Sequence, residues 1–334
     1  MGRPRLKKEG GGAYFTAPKT NLKFIRSGCA LLDCALGGGY VLGRIANLVG
    51  DKSTGKTLLA IEACANFIRD YPNGDIYYCE TEAAFDKDYA AALGLPLDDV
   101  RFPEGIETVE DLFEDLEKTI KSRDEGKPGL YIIDSLDSLS DRAEMERGIS
   151  DGTYGAAKAK KLSELFRRLV RKVEKTQMAV IVVSQVRDAI GVTFGEKYTR
   201  AGGKALDFYA SQAMWLAVVE TLKKTIDRVQ RPVGVCVKAR LKKNKVGLPF
   251  RECVFEIRFG YGIDDISSHL EWLKSVGKLD KLEMSEKQIP AFLRSLEKMG
   301  SAEVEEWRLL IDEAVRSAWY EIERSFVPTR RKYE

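Results

Sequence analysis

Residues 50–57 read GDKSTGKT, a complete G-x-x-x-x-G-K-[ST] pattern. The spacing suits one task. Glycines let the chain turn sharply and bring backbone N–H groups onto a phosphate, the lysine reaches the β- and γ-phosphates, and the final hydroxyl supports Mg2+. Here Gly50, Asp51, Lys52, Ser53, Thr54 and Gly55 would form the cradle, Lys56 the cation and Thr57 the hydroxyl. An apolar run over 44–49 precedes the pattern, and a helical stripe of Leu58, Ile61, Ala65 and Ile68 follows it. A strand turning into a helix N-terminus is the setting this chemistry needs, because the helix dipole favours an anion. An ordinary glycine-rich turn is the bland alternative, and it requires neither flank. The chain is expected to bind a nucleoside triphosphate.

Hydrolysis needs carboxylates as well, one to support Mg2+ and one to activate water. The apolar run Leu130-Tyr-Ile-Ile-Asp134 ends in a carboxylate suited to the metal, directly or through water. A second run, Ile76-Tyr-Tyr-Cys-Glu80-Thr-Glu82, ends in two. If the strand continues to Glu82 the two share a face, so spacing leaves the choice between Glu80 and Glu82 open. A third run, Met178–Val183, leads into Ser184-Gln185. A neutral amide cannot act as a base, but it can report whether a γ-phosphate is present.

The elements that must position these groups follow from the pattern. Strand-like runs at 44–49, 75–79, 130–134, 178–183 and 213–219 alternate with helical stretches. That alternation predicts an α/β fold with a mostly parallel sheet, whose C-terminal edge gathers strand ends into a binding crevice. Val233, Val235, Val237, Ala239 and Leu241 alternate, as do Cys253, Phe255, Ile257 and Phe259, with a short connection at Lys245–Pro249. These predict an antiparallel hairpin at the sheet edge. From about residue 268 the pattern is helical and charged, with Val304, Trp307, Ile311, Val315 and Ile322 at helical spacing. The expected organisation is an arm over 1–27, a core over 28–266 and a small helical region over 267–334.

Composition excludes several alternatives. No stretch of the 334 residues approaches the roughly 20 apolar residues needed to span a bilayer. The basic start, MGRPRLKK, lacks a signal peptide's apolar segment, so a cytoplasmic location is expected. Cys29, Cys34, Cys64, Cys79, Cys236 and Cys253 show no C-x-x-C spacing and read as reduced core thiols. With His269 the sole histidine, a zinc site is not expected. A net charge of +3 is too small to announce a nucleic-acid binder, so any such surface must be locally patterned.

From about Phe24 to Leu279 the chain resembles the bacterial RecA recombinases. Leu31-Leu-Asp-Cys-Ala-Leu-Gly37 followed by Gly43-Arg-Ile is similar to the family's approach to its phosphate loop. Glu82, Ala84, Asp86 and Tyr89 match its Glu-x-Ala-x-Asp-x-x-Tyr pattern, with Glu80 where the family usually has Asp. The resemblance implies that Glu82 activates water, that Asp86 and Tyr89 belong to the nucleotide site with Tyr89 stacking on adenine, and that Asp134-Ser135 is the metal-supporting element. It assigns Gln185 as the phosphate sensor. Lys243-Asn-Lys245 matches the family's Lys-Asn-Lys strand end, which implies that both lysines reach a neighbouring protomer's γ-phosphate. Without the match, a solvated lysine cluster explains these residues as well.

The segment 185–211, QVRDAIGVTFGEKYTRAGGKALDFYAS, looks like the family's second DNA-binding loop. Arg187, Phe194, Lys197, Arg200, Gly202, Gly203 and Lys204 are the expected contacts. Cations and backbone would hold phosphates while an aromatic group inserts between bases. The first DNA loop would be Glu146–Gly155, carrying Tyr154. On the next helix an apolar stripe of Leu162, Leu165, Phe166, Leu169 and Val173 faces away from six cations. Among these, Lys160 and Arg167 match family phosphate contacts, although a solvated helix face also accounts for the charge. The N-terminal arm looks shorter than the family's, and the basic Arg330-Arg-Lys332 stands where many members carry an acidic tail.

The resemblance implies an ATP- and Mg2+-dependent ATPase that forms a filament on single-stranded DNA and pairs it with homologous duplex. A ring-forming motor and an ATP-binding mediator with little turnover are the alternatives.

Overall fold

A computed structural model of the chain describes residues 22–83, 85–124, 126–146, 155–188, 198–199 and 203–330. By internal contacts the chain divides into two compact units, Leu22–Asp265 and one containing Ile266–Glu334.

In the larger unit, β1 (Phe24–Ile25) and β2 (Tyr40–Val41) pair antiparallel around the buried helix α1 (Ala30–Leu36). Asp33, inside that helix, is buried and accepts hydrogen bonds from the Ser27 N–H and hydroxyl, both at 2.8 Å. The alternating core follows: β3 (Ile45–Gly50), α2 (Lys56–Asp70), β4 (Asp75–Glu80), α3 (Lys87–Ala92), β5 (Val100–Arg101), α4 (Val109–Ser122) and β6 (Gly129–Asp134). Next come α5 (Arg142–Met145), α6 (Gly155–Lys175), β7 (Met178–Gln185), the short β8 (Arg187–Asp188) and β9 (Tyr198–Thr199), and α7 (Gly203–Tyr209). The unit closes with β10 (Gln212–Ile226), β11 (Val229–Asn244), β12 (Glu252–Arg258) and β13 (Gly262–Asp264).

Among the described residues nine strands form one sheet in the order β13-β12-β11-β10-β3-β7-β6-β4-β5. The six strands from β10 to β5 are parallel to their neighbours, and β10-β11, β11-β12 and β12-β13 pair antiparallel. The fold is therefore the expected α/β class, with a larger antiparallel margin than the alternation predicts. The expected β11–β12 pairing is present, but β10 and β11 also form a long hairpin. Its turn falls at Asp227 and Arg228, both with positive φ (49° and 67°). Two successive left-handed residues suit a tight hairpin, yet neither is the glycine that normally signals one. Polar residues at 223–225 and 227–228, with Ile226 the one apolar position among them, hide the strand period there.

The parallel strands are apolar on both faces because helices cover both, which is why β3, β6 and β7 read as runs rather than alternations. On one side α4 and α6 pack on the sheet. The α6 stripe Leu162, Leu165, Phe166, Leu169 and Val173 is buried against Leu112 and Leu116 of α4 and against Tyr131 and Ile133 of β6. A reciprocal capping box between Thr108 and Asp111 starts α4.

The smaller unit is helical: α8 (Asp265–Ser275), α9 (Ile289–Leu296) and α10 (Ser301–Ser325). Ile311, Val315 and Ala318 are buried on α10, and the Trp272 and Trp319 rings meet at 5.7 Å. No helix among the described residues is long and apolar enough to cross a membrane. All six cysteines are free thiols, five of them buried.

Candidate active site

Gly50 ends β3 and Gly55 precedes α2, so the phosphate loop is the turn from the central strand into its helix. Gly55 sits at φ 83°, where a Cβ would come within 2.4 Å of Ile257 Cδ1. A Cβ at Gly50 would lie 2.5 Å from Thr54 Oγ1. Both positions therefore need glycine. Gly55 offers no capping side chain, which leaves the first N–H groups of α2 for an anion. Lys56 Nζ donates to the Asp51 carbonyl at 2.7 Å, which lays the ammonium across the loop, and Thr54 Oγ1 donates to the same oxygen at 2.8 Å. Burial lowers the Lys56 pKa; Asp134, Glu82, Asp51 and Asp137 pull it back up.

Register brings the other groups alongside. Gly50 is paired with Gln185 across β3-β7, Ile133 with Val182 across β6-β7, and Glu80 with Asp134 across β4-β6. Four strand ends thus converge on one edge. Asp134 is 6% exposed, and its Oδ2 accepts a hydrogen bond from the Tyr78 hydroxyl at 2.8 Å. Burial raises its pKa, opposed by hydrogen bonds from Tyr78 and Thr57, while Glu82 and Glu80 add to the rise. A buried carboxylate touching a threonine hydroxyl, within an excess of acids, is a hard oxygen set that suits Mg2+. The chemistry of the donors and the glycine cradle both fit a magnesium nucleotide.

The condition under which Glu80 and Glu82 would share a strand face is not met, because strand β4 stops at Glu80. Glu80 Oε1 accepts the Glu82 N–H at 2.8 Å, bracing the turn. Glu82 lies beyond it, where its Oε1 accepts from Gln185 Nε2 at 3.1 Å and from the Ser135 hydroxyl. Asp86 caps α3 by accepting the Tyr89 N–H at 2.9 Å. Tyr89 is half-buried on that helix, and burial raises its hydroxyl pKa.

Away from the edge, Lys243 Nζ donates to the Asp207 and Phe208 carbonyls at 2.5 and 2.7 Å, at the C-terminal end of α7. Burial and the neighbouring Lys245 lower its pKa to about 8. Between the two lysines, Asn244 anchors the strand end, donating to the Leu36 carbonyl at 3.0 Å and accepting the Val246 and Gly247 N–H groups.

On α6 the cations divide. Lys161 pairs with Glu110, Arg168 with Glu117 and Glu164, and Lys172 with Glu117. Lys160 and Arg167 are exposed and have no ion pair among the described residues. Tyr154, Phe194, Lys197, Arg200 and Gly202 lie outside the described residues, as do residues 1–21 of the arm expected over 1–27. The backbone places Arg187 at the start of β8 and Gly203 and Lys204 at the start of α7.

Two residues escaped the sequence reading. Tyr78 was hidden inside an apolar strand, and its contact with Asp134 depends on the β4–β6 pairing. Asp137 is buried, and its Oδ2 accepts the Gln185 N–H at 2.7 Å. The one available signal was a second acid three residues after Asp134.

A phosphate cradle at a strand-to-helix turn, with carboxylates and an amide on neighbouring strand ends, defines a P-loop nucleotide-binding protein. The family described as the RecA N-terminal domain matches residues 9–264. Protein RecA of Nostoc punctiforme is 35% identical over 261 residues, covering 78% of this chain and 70% of its own length. Protein RecA of Streptococcus pneumoniae is 36% identical over 265 residues, covering 77% of this chain and 66% of its own. The chain belongs to the RecA family, ATP-binding proteins of DNA recombination and repair.

Proposed function

We propose that this chain is an ATP-dependent DNA recombinase of the cytoplasm. In this reading it polymerises on single-stranded DNA, pairs it with homologous duplex and exchanges strands. The observation that carries the reading is the position of Gln185. Its side-chain amide donates to Glu82, while its main chain runs directly into the segment over 187–204. One residue therefore joins the water-activating carboxylate to the proposed DNA loop.

Bound Mg2+ would neutralise phosphate charge, with Thr57 and Asp134 to hold it. The loop over 50–57 binds and orients the phosphates, and Tyr89 stacks on the base. Glu82 Oε1 takes the proton of the attacking water. Gln185 exchanges its contact with Glu82 for one with the γ-phosphate, and that exchange reorders the loop beyond it. Lys243 and Lys245 act in trans, adding positive charge to the transition state on the adjoining protomer. Residues 1–27 serve as an arm, 28–266 as the motor core and 267–334 as a helical appendage.

Strand exchange between a circular single strand and a homologous linear duplex tests the reading, with Lys56→Ala as the inactive control. ATP-dependent joint molecules and helical filaments in negative stain are expected. Closed rings with unwinding and no exchange would return the motor alternative. Filaments with negligible DNA-stimulated turnover would return the mediator.

A further inference from the structure

We propose that Asp137 is a positioning residue that holds the main chain of Gln185, and so sets how strongly DNA binding is coupled to ATP turnover. This rests on the recombinase reading above.

The geometry begins with the sheet. The last register pair between β6 and β7 is Ile133 with Val182, so the β6 ladder stops short of the end of β7. Beyond it Leu136 N–H still reaches the Val183 carbonyl at 3.1 Å, and on the opposite side Val186 N–H donates to the Gly50 carbonyl at 3.2 Å. The Gln185 N–H has outrun the β6 ladder. The carboxylate of Asp137 takes it, at 2.7 Å. A buried N–H left unpaired is costly, so this acceptor fixes where β7 ends.

Three contacts then close a ring. Gln185 is held at its N–H by Asp137 and at its side chain by Glu82, and Glu82 accepts from Ser135, two residues before Asp137. Movement of the sensor amide must therefore pivot about the Asp137 contact. A second contact comes from the helix that follows the other proposed DNA loop. Lys158 Nζ, in the first turn of α6, donates to the Asp137 backbone carbonyl at 3.1 Å. The chain leaving residues 147–154 and the chain approaching residues 189–197 thus meet at one residue, one on its carbonyl and the other on its carboxylate.

The two contacts are separable by mutation. Asp137→Ala removes the carboxylate and leaves the carbonyl to Lys158. Asp137→Asn keeps an oxygen acceptor and removes the charge. The measurement is steady-state ATP turnover with and without oligo-dT, alongside the affinity for a fluorescent ATP analogue. Asp137→Ala is expected to lower the DNA stimulation ratio about tenfold, within the usual range of coupling between sites. Its analogue affinity should change less than about threefold, and Asp137→Asn should recover most of the stimulation. A merely structural role predicts instead that affinity and stimulation fall together. Asp137→Ser, too short to reach the N–H, repeats the test if the alanine variant does not fold. Wild-type stimulation in Asp137→Ala, or an asparagine variant as impaired as the alanine, overturns the inference and leaves the recombinase reading intact. A wild-type protein that no single-stranded DNA stimulates overturns the reading, and the inference with it.

Discussion

Tyr78→Phe isolates the bond that steadies the proposed metal carboxylate. The ring is fully buried in β4, so phenylalanine fills its place and only the hydroxyl is lost. That hydroxyl donates to Asp134 Oδ2 at 2.8 Å, and the acceptor is itself 6% exposed. A hydrogen bond to a charged partner in such a setting contributes about 1.5–3 kcal/mol, against about 1 kcal/mol for a neutral pair. For a unit the size of Leu22–Asp265, each kcal/mol moves the melting temperature by about 2–4 °C. The expected drop is thus about 4–8 °C for a loss of about 2 kcal/mol, read by calorimetry without nucleotide at pH 7.5. In an Asp134→Asn background the same change should cost about half as much, because the acceptor is neutral. The pH dependence has a definite sign. Burial lifts the Asp134 pKa above its ordinary 3.8, and the Tyr78 bond opposes that rise. The coupling is therefore present above the raised pKa and fades as pH falls through it. An equal cost in both backgrounds, or a coupling that persists at pH 3.5, would show that the hydroxyl does not serve the carboxylate.

Glu82→Gln keeps the shape of the turn and removes the proposed base. Turnover should fall by about 10²–10⁴-fold with nucleotide affinity nearly unchanged, and retained turnover would transfer the role elsewhere. Arg167→Ala should weaken single-stranded DNA binding and reduce the salt slope by about 0.7, whereas Arg168→Ala, already paired with Glu117 and Glu164, should leave that slope unchanged. Equal effects would refute the division of the α6 cations. The Lys243→Ala, Lys245→Ala double variant should lose filament ATPase while isolated protomers bind nucleotide within about threefold of wild type, and normal filament turnover would remove the trans lysines.

Local apolar runs carried most of the fold because each parallel strand is apolar on both faces whatever its partners. Ile45–Gly50, Gly129–Asp134 and Met178–Gln185 were legible to within a residue or two for that reason. The phosphate loop was equally legible, since its glycines answer a local demand: a left-handed φ at Gly55 and a close approach at Gly50. The β10–β11 turn shows the limit. Asp227 and Arg228 adopt positive φ without glycine, so the hairpin is held by cross-strand pairing rather than by a local preference. The candidate site divides along the same line. Lys56, Asp134 and Gln185 stand at strand or helix ends, where sequence spacing can find them. Tyr78 and Asp137 act through partners 56 and 48 residues away. Their contacts exist only because β6 lies between β4 and β7 in the sheet order. That order also explains how one edge can serve the two proposed purposes. The chain leaving the strand that ends in the proposed metal carboxylate reaches, three residues later, the carboxylate that accepts the Gln185 N–H. A change at the nucleotide is thereby one short segment away from the start of the proposed DNA loop.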